Sequence, residues 1–377
     1  MKRVLIIAGE TSGDLHGSAL MKSMKSALPE DISFRGIGGT LMIREGLDAL
    51  RHVREMNFMG FAEVIRRLPF IRRTMNELRS LLDTWRPDLV ILIDYPGFNL
   101  KFAPYPKRRN IPVMYFISPQ LWAWHTGRVR QVRRFVDRMV VLFDFERDFY
   151  RRYGIEADFV GHPLVETTRP ALERAEFLDS LGIDGSAPII GLFPGSRLQE
   201  IIHIFPVMAD SICIMRERWG NCVALLGCAG DIDDIHYARF SGRAGIIPVR
   251  DRTYDIMAHS DVLVVTSGTA TLEAGIIGTP MVIVYRTSGL TYHIGKALVN
   301  IPDIGLINIV AGSRIVPELS QDEVTPENIA DHLDRFLRDD GVRSEVRASL
   351  RAAKAKLGGP GASSRAAAIA VEMMKAS

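Results

Sequence analysis

Short, unbroken apolar runs recur along the chain, each stopped by glycine, proline or a charged residue and followed by a stretch with helical spacing. In the first half they fall at residues 4–8, 89–93, 113–117 and 139–143, with a short strand and flexible turn at 34–39, and in the second at 189–193, 223–226, near 245–249, 262–265 and 281–285. Four to six consecutive apolar residues suit a strand covered on both faces, and strands alternating with helical segments predict parallel α/β sheets. The pattern breaks once. Beyond Phe159-Val-Gly-His-Pro163 a polar segment, 166–188, leads to a second series, so two Rossmann-like domains are expected, residues 1–165 and 166–361. Residues 306–312 read as a buried loop, and 316–321 leads to the last helices. Gly358 to Gly361 forms a hinge before a final Ala-rich helix, 362–377, which permits a homodimer by exchange of that segment.

The ends of these runs carry the polar residues worth examining, because open parallel sheets bind ligands at the carboxyl edges of their strands. The run 89–93 delivers Asp94 to such an edge, and Pro96 and Gly97 stop the strand behind it. Asp94 reads either as a reactive carboxylate or as a cap for the next helix. The first strand opens into Gly9-Glu10-Thr11-Ser12-Gly13-Asp14, which matches neither the dinucleotide nor the P-loop spacing. Its two carboxylates would repel phosphate and suit sugar hydroxyls; a plain turn capped by Ser12 or Asp14 is the alternative. Pro194-Gly195-Ser196-Arg197 joins a strand to a helix, with small residues that let amides approach a ligand and a fixed positive charge that suits a diphosphate. Ser267, Gly268 and Thr269 open a second such helix, and Glu273, one turn inside, can accept two hydrogen bonds from a ribose diol. Two such turns and a carboxylate on βα units describe a nucleotide site. Trp122 and Trp124, past the end of a strand, read as lining a cleft or as buried against the arginine-rich helix that follows, in which Arg128, Arg130, Arg133, Arg134 and Arg138 fall.

Charge adds a partner. The net charge is +3, yet residues 1–165 hold 26 Lys and Arg against 18 Asp and Glu, and the remainder 21 against 26, so the first half faces something anionic. Its most unusual stretch, 56–82, interleaves Phe58, Met59, Phe61, Val64, Ile65, Leu68, Phe70 and Ile71 with the pairs Arg66-Arg67 and Arg72-Arg73, and Pro69 splits it into two helices. Eight large apolar residues within 14 exceed one buried stripe and suit a helix lying in an anionic bilayer interface; two ordinary amphipathic helices are the alternative. No run reaches the roughly 18 apolar residues of a membrane span, and Met1-Lys2-Arg3 leads straight into a strand without room for a signal peptide, so a cytoplasmic protein is expected. Cys213, Cys222 and Cys228 lack CxxC spacing and predict neither disulfide nor zinc, and no other metal-ligand cluster is visible. No RRM, KH or helix-turn-helix pattern supports nucleic acid as the anionic partner.

Together these motifs resemble the lipid-A-disaccharide synthase family. They are Ala8-Gly-Glu-Thr-Ser-Gly-Asp14, Gly36-Ile-Gly-Gly39, Met59-Gly-Phe-Ala-Glu-Val64, Ile93-Asp-Tyr-Pro-Gly-Phe-Asn99, Ile117-Ser-Pro-Gln-Leu-Trp-Ala-Trp124, Phe159-Val-Gly-His-Pro163, Pro194-Gly-Ser-Arg197 and Ser267-Gly-Thr-Ala-Thr-Leu-Glu273. The resemblance implies a GT-B architecture, two Rossmann-like domains facing a cleft, with the C-terminal helix returning to the first. It implies an inverting glycosyltransferase of a Gram-negative bacterium that joins UDP-2,3-diacylglucosamine to 2,3-diacylglucosamine 1-phosphate through a β-1,6 link, without metal or other cofactor, on the cytoplasmic face of the inner membrane. Asp94 then matches the general base, Glu10 the acidic residue of the first loop, Arg197 the diphosphate arginine and Glu273 the ribose ligand. Gly195, Ser196, Ser267, Gly268, Thr269, Asn308 and Gln321 complete the UDP site. The sequence departs from the family at Ile307, where proline is usual, and at Pro104 and Pro106, which interrupt a helix. A soluble UDP-N-acetylglucosamine 2-epimerase-like enzyme or a non-catalytic UDP-lipid-binding module are the alternatives; neither a membrane-facing segment nor a general base, respectively, would be needed.

Overall fold

The computed structural model describes residues 1–375 except 57–65, 124–125, 231 and 288–302. The chain forms two compact units, Met1–Pro163 with Gly358–Ser377, and Leu164–Leu357.

The first unit is a seven-stranded parallel sheet in the order β3-β2-β1-β4-β5-β6-β7. Its strands are β1 (Lys2–Ala8), β2 (Ile32–Gly38), β3 (Leu47–His52), β4 (Leu89–Ile93), β5 (Val113–Phe116), β6 (Arg138–Val141) and β7 (Ala157–Phe159). All five residues of β4 are fully buried, as its uninterrupted apolar run requires in the centre of a sheet covered on both sides. One face is covered by α1 (Thr11–Ala27), α2 (Thr40–Arg44) and the C-terminal helix, whose Ala366, Ala367 and Ala370 share a core with Leu20 and Met24 of α1. Small residues there let the two helices approach closely. The C-terminal helix is fastened at both ends: Lys2 Nζ donates to the Met374 carbonyl at 3.0 Å, and Arg365 Nε to that of Val160 at 2.8 Å. The opposite face carries α3 (Leu68–Thr84), α4 (Pro96–Phe102), α5 (Val129–Phe135) and α6 (Asp144–Arg151). Leu78, Leu82, Val129, Val132 and Tyr150 from these helices meet in one core.

The second unit is a six-stranded parallel sheet, β10-β9-β8-β11-β12-β13. Its strands are β8 (Ile189–Phe193), β9 (Val223–Cys228), β10 (Ile247–Arg250), β11 (Val262–Thr266), β12 (Met281–Tyr285) and β13 (Glu318–Ser320). Its longest helix, α7 (Leu198–Trp219), is long and apolar enough by length and composition to cross a membrane, a segment the search for unbroken apolar runs passes over. Here it is a core helix: Ile201, Ile204, Phe205, Met208, Ile212 and Met215 are buried against the sheet. Behind it come α8 (Thr253–His259), α9 (Thr269–Ile277) and α10 (Leu306–Ala311).

Two local expectations are corrected and a third is borne out. The segment read as a buried loop is α10, ended by Gly312 with a φ of 78°, because Ile307 and Val310 point inward at helical rather than strand spacing. Arg138 does not belong to the arginine helix: it begins β6, where its guanidinium makes a bidentate pair with Asp158 at 2.8 and 2.9 Å. The prolines at 104 and 106 do break the helix after Phe102, but they start a separate single turn, Pro104–Lys107.

Candidate functional site

In each sheet the chain doubles back from one central strand to the other side, at β1/β4 in the first unit and β8/β11 in the second. Loops diverge at such a switch point and leave a crevice at the carboxyl edge. Glu10 and Asp94 follow β1 and β4, which are paired with Ala8 beside Ile93. The turns at Gly195 and Ser267 follow β8 and β11, paired with Phe193 beside Val265.

Asp94 and Tyr95 both have left-handed backbones, with φ of 42° and 47°. Two consecutive non-glycine residues there cost roughly 1–2 kcal/mol each, and the surroundings hold them in place. The Asp94 amide donates to the Phe116 carbonyl at 3.1 Å; its own carbonyl accepts from Tyr115 Oη at 2.5 Å and from Asn99 Nδ2 at 2.8 Å. Asn99 Nδ2 also reaches the Ile93 carbonyl at 3.1 Å, and Tyr95 Oη reaches that of Met56 at 3.0 Å. The reversal of chain direction therefore leaves the half-buried carboxylate at the strand end. Burial, and then the negative charge of Glu10, push its pKa up to about 6, against an opposing hydrogen bond from the Tyr95 amide. That is closer to neutrality than the value of roughly 4 expected for a free carboxylate. Gly9 is required opposite: a Cβ there would lie 2.2 Å from the Tyr95 ring.

Glu10 itself is exposed and has no capping role. Asp14 is neither a ligand for sugar nor a cap for its own helix. Buried, it accepts from the amides of Gly39, Met42 and Leu41 at 2.7, 2.9 and 3.0 Å, and so fastens the start of α2 to α1. Asn99, Tyr115 and Gly9 were not assigned roles by sequence reasoning; Asn99, in an apolar helix just after a Pro-Gly turn, was the visible signal. Trp122 packs edge-on against Phe145, with ring centroids 5.0 Å apart, and its Nε1 donates to Glu146 at 3.2 Å. Trp124 lies outside the described residues.

In the second unit Gly195, Ser196, Arg197, Ser267, Gly268, Thr269 and Glu273 line a single cavity of about 360 Å³. Glu273 accepts from Tyr254 Oη at 2.9 Å. Burial raises the pKa of Glu273, and together with Glu273's charge it takes Tyr254 up to about 12. Thr266, at the end of β11, also lines the cavity, and its buried hydroxyl has no partner among the described residues. A buried hydroxyl without a partner costs about 1–3 kcal/mol, which a polar ligand would recover. The first turn is less open than its small residues suggest. Glu200 Oε2 takes the amides of Ser196 and Arg197 at 3.2 and 3.3 Å, while its Oε1 accepts from Arg197 Nη1 at 3.0 Å. Gly195 is needed for that arrangement, with a φ of 115° and its Cβ position 2.4 Å from Glu200. Arg197 remains mostly exposed, with further donors to offer. Ser267 is likewise committed, its hydroxyl donating to the Ile304 carbonyl at 2.7 Å. Glu200, Thr266 and Tyr254 were missed because each is an ordinary residue until the two turns are brought together.

Asn308 is not at this cavity. It is fully buried; Nδ2 donates to the Val316 carbonyl and to Glu318 Oε1 at 2.9 and 2.8 Å, and Oδ1 accepts from the amides of Ile315 and Val316 at 2.9 and 3.1 Å. With its amide fully used, it is a structural joint between α10 and β13. Gln321 follows β13 and does not line the cavity either; it has a φ of 51°, and its buried Nε2 has no partner among the described residues. Of the apolar and basic stretch, Phe58, Met59, Phe61, Val64 and Ile65 lie outside the described residues. Arg66, Arg67, Leu68, Arg72 and Arg73 are exposed on or beside α3, whereas Phe70 and Ile71 are half-buried against the core. That second half is thus an amphipathic helix packed on the sheet, with Pro69 in its first turn.

Residues 4–372 match the protein-family model described as lipid-A-disaccharide synthetase. The lipid-A-disaccharide synthase of Geobacter metallireducens is 44% identical over 375 residues, covering 99% of this chain and 97% of that protein. That of Syntrophus aciditrophicus is 41% identical over 379 residues, covering 100% and 99%. Among solved structures, MurG of Acinetobacter baumannii superposes with a TM-score of 0.61 at 12% identity, covering 99% of this chain and 100% of that one. UDP-GlcNAc 2-epimerase of Neisseria meningitidis does so with 0.60 at 10%, covering all of both. At such identities these two speak for the fold alone, which is GT-B. The match to the family model runs through both units, and relatives above 40% identity align along nearly their whole length: the chain belongs to the lipid-A-disaccharide synthetase family, and is a glycosyltransferase.

Proposed function

We propose that the chain transfers 2,3-diacylglucosamine from its UDP derivative to the 6-hydroxyl of 2,3-diacylglucosamine 1-phosphate, inverting the anomeric centre to a β-1,6 link and releasing UDP. The observation that carries this reading is Asp94: a carboxylate with a pKa of about 6, held at a switch point by hydrogen bonds to the backbone around it. At pH 7 roughly nine in ten such groups are ionised, and a pKa this near to neutrality suits a base that takes a proton as the alcohol attacks. In one displacement the acceptor oxygen bonds to the anomeric carbon, its proton passes to Asp94, and the bond to the diphosphate breaks. Glu10 keeps Asp94 basic through its charge.

The second unit holds UDP. Glu273 binds the ribose, the amides opening α9 at Thr269 and Ala270 face the diphosphate, and Arg197 supplies a cation to the leaving group. Exposed Arg66, Arg67, Arg72 and Arg73, with the apolar residues before them, dock the first unit on the cytoplasmic face of the inner membrane, where both lipid substrates reside. Incubation with both substrates, with and without chelator, should give a tetraacyl disaccharide and UDP. Binding of UDP without disaccharide, or appearance of an epimerised sugar, would overturn the assignment. Charge reversal at the four arginines should weaken binding to anionic vesicles, and unchanged binding would remove the docking claim.

A further inference from the structure

Within the arginine-rich helix, Arg130 and Arg133 are not among the residues assigned to transfer. Arg130 and Arg133 lie three residues apart on α5, and together with Val129 and Arg152, Tyr153 and Gly154 at the end of α6 they line an open groove of about 410 Å³. All three guanidinium groups are exposed, and none forms an ion pair among the described residues. This is a contrast with their surroundings. Lys107 is paired with Asp137, Arg138 with Asp158, Arg147 with Asp144 and Arg151 with Asp148. The carboxylates next to the groove are therefore spent on other cations, and Glu156, exposed two residues beyond the turn, does not line it. Three like charges around one hollow repel each other, and an anion filling it relieves that repulsion.

The topology separates this groove from Asp94. In a parallel sheet α5 runs from the carboxyl end of β5 to the amino end of β6, and α6 from the carboxyl end of β6 to the amino end of β7. Arg133 and Arg152 thus lie toward the amino edge of the sheet, whereas Asp94 closes β4 at the carboxyl edge. Yet α5 and α6 cover the same face of the sheet as α3, since Leu78, Val129 and Tyr150 share one core. The exposed Arg72 and Arg73 of α3, also without ion pairs among the described residues, border another shallow hollow on that face.

We infer that the α5/α6 groove is a second membrane anchor, binding the phosphates of anionic phospholipids and extending the contact of α3 across this face of the first unit. The inference rests on the membrane-associated reading proposed above. A bilayer is the occupant that fits: the groove is open, its cations sit on long exposed side chains without a buried polar group to define a small-ligand pocket, and Tyr153, 39% exposed, offers an amphipathic ring at its rim.

The test is sedimentation with vesicles of phosphatidylcholine alone or mixed with phosphatidylglycerol. Each basic side chain near an anionic surface contributes roughly fivefold to partitioning, so Arg130→Gln/Arg133→Gln/Arg152→Gln should bind the mixed vesicles on the order of 100-fold more weakly than wild type. Its transfer between detergent-dispersed substrates should be unchanged, which also reports that it is folded. Should the triple variant fail to fold, Arg133→Gln alone should lose roughly fivefold. Equal partitioning of wild type and variant overturns the inference, as does saturable binding of inorganic phosphate at these arginines that leaves vesicle binding intact. Wild type that makes no disaccharide but loses vesicle binding on substitution would sink the transfer reading and leave the groove standing.

Discussion

Replacing Asp94 by asparagine should move activity and stability in opposite directions. Loss of a general base costs about 10²–10⁴ in rate, with UDP binding unaffected because the nucleotide cavity belongs to the other unit. Stability follows from the shift in pKa from 3.8 to about 6. A carboxyl that holds its proton more tightly when folded stabilises the fold fully below its unfolded pKa and loses that contribution as pH rises through the folded value. Two units at about 1.4 kcal/mol each make the ionised side chain an upper figure of about 3 kcal/mol less favourable in the folded protein above pH 6. Asparagine keeps an acceptor for the Tyr95 amide and carries no charge, so the variant should melt several degrees higher than wild type at pH 8 and at the same temperature near pH 4. Thermal melts across this range, with kcat/KM measured in parallel, check both limbs; wild-type kcat/KM should fall below pH 6 as Asp94 protonates. Turnover near wild type would refute the base, and equal melting temperatures at pH 8 would refute the desolvation argument behind its pKa. Glu10→Gln should move the acid limb to lower pH, since the neighbouring charge is the second cause of the shift.

Gly9→Ala should cost about 1–3 kcal/mol and most of the transfer rate, because its methyl would collide with the Tyr95 ring and displace the loop bearing Asp94; melts and steady-state assays read both. Asn308→Ala should lower stability by about 3 kcal/mol or more through four lost buried hydrogen bonds, while UDP affinity of the folded protein, by calorimetry, stays within about threefold. Glu273→Gln should raise the KM for the UDP-sugar about 10- to 100-fold with little change in kcat, as expected for a charged hydrogen bond to ribose that is equal in ground and transition states.

The architecture was legible because buried parallel strands leave unbroken apolar runs: β4 and β8 stand in the sequence almost with their final bounds. The short edge strands β3 and β13 were not, because an edge strand mixes polar residues into its few positions, as Leu47-Asp-Ala-Leu-Arg-His52 does. At the sites, the turns singled out in the sequence are brought together by the fold, since Gly195, Ser267 and Glu273 line one cavity. It could not assign each polar atom. Asn308 and Asp14 looked like ligands because buried and ligand-binding side chains draw on the same residue types, and only their partners distinguish them.

The segments after β1 and β4 make that distinction physical. Asp14 spends its carboxylate on three backbone amides, so its charge is consumed in holding two helices together. Asp94 is held just as firmly, but by its carbonyl and amide: Tyr115 and Asn99 grip the carbonyl, and β5 takes the amide. The left-handed pair at 94 and 95 is what permits this, since it ends the strand without calling on the side chain and sets Pro96 in the first turn of α4. The break at Pro104 is therefore of little consequence for Asp94, whose support comes from Asn99, one turn inside α4, and from the neighbouring strand. A carboxylate whose backbone bears the structural burden keeps oxygen lone pairs for a substrate. Asn99→Ala should thus reduce transfer while the Asp94 carboxylate is still present; a variant that is folded and fully active would show that the grip on the carbonyl does not matter for the chemistry.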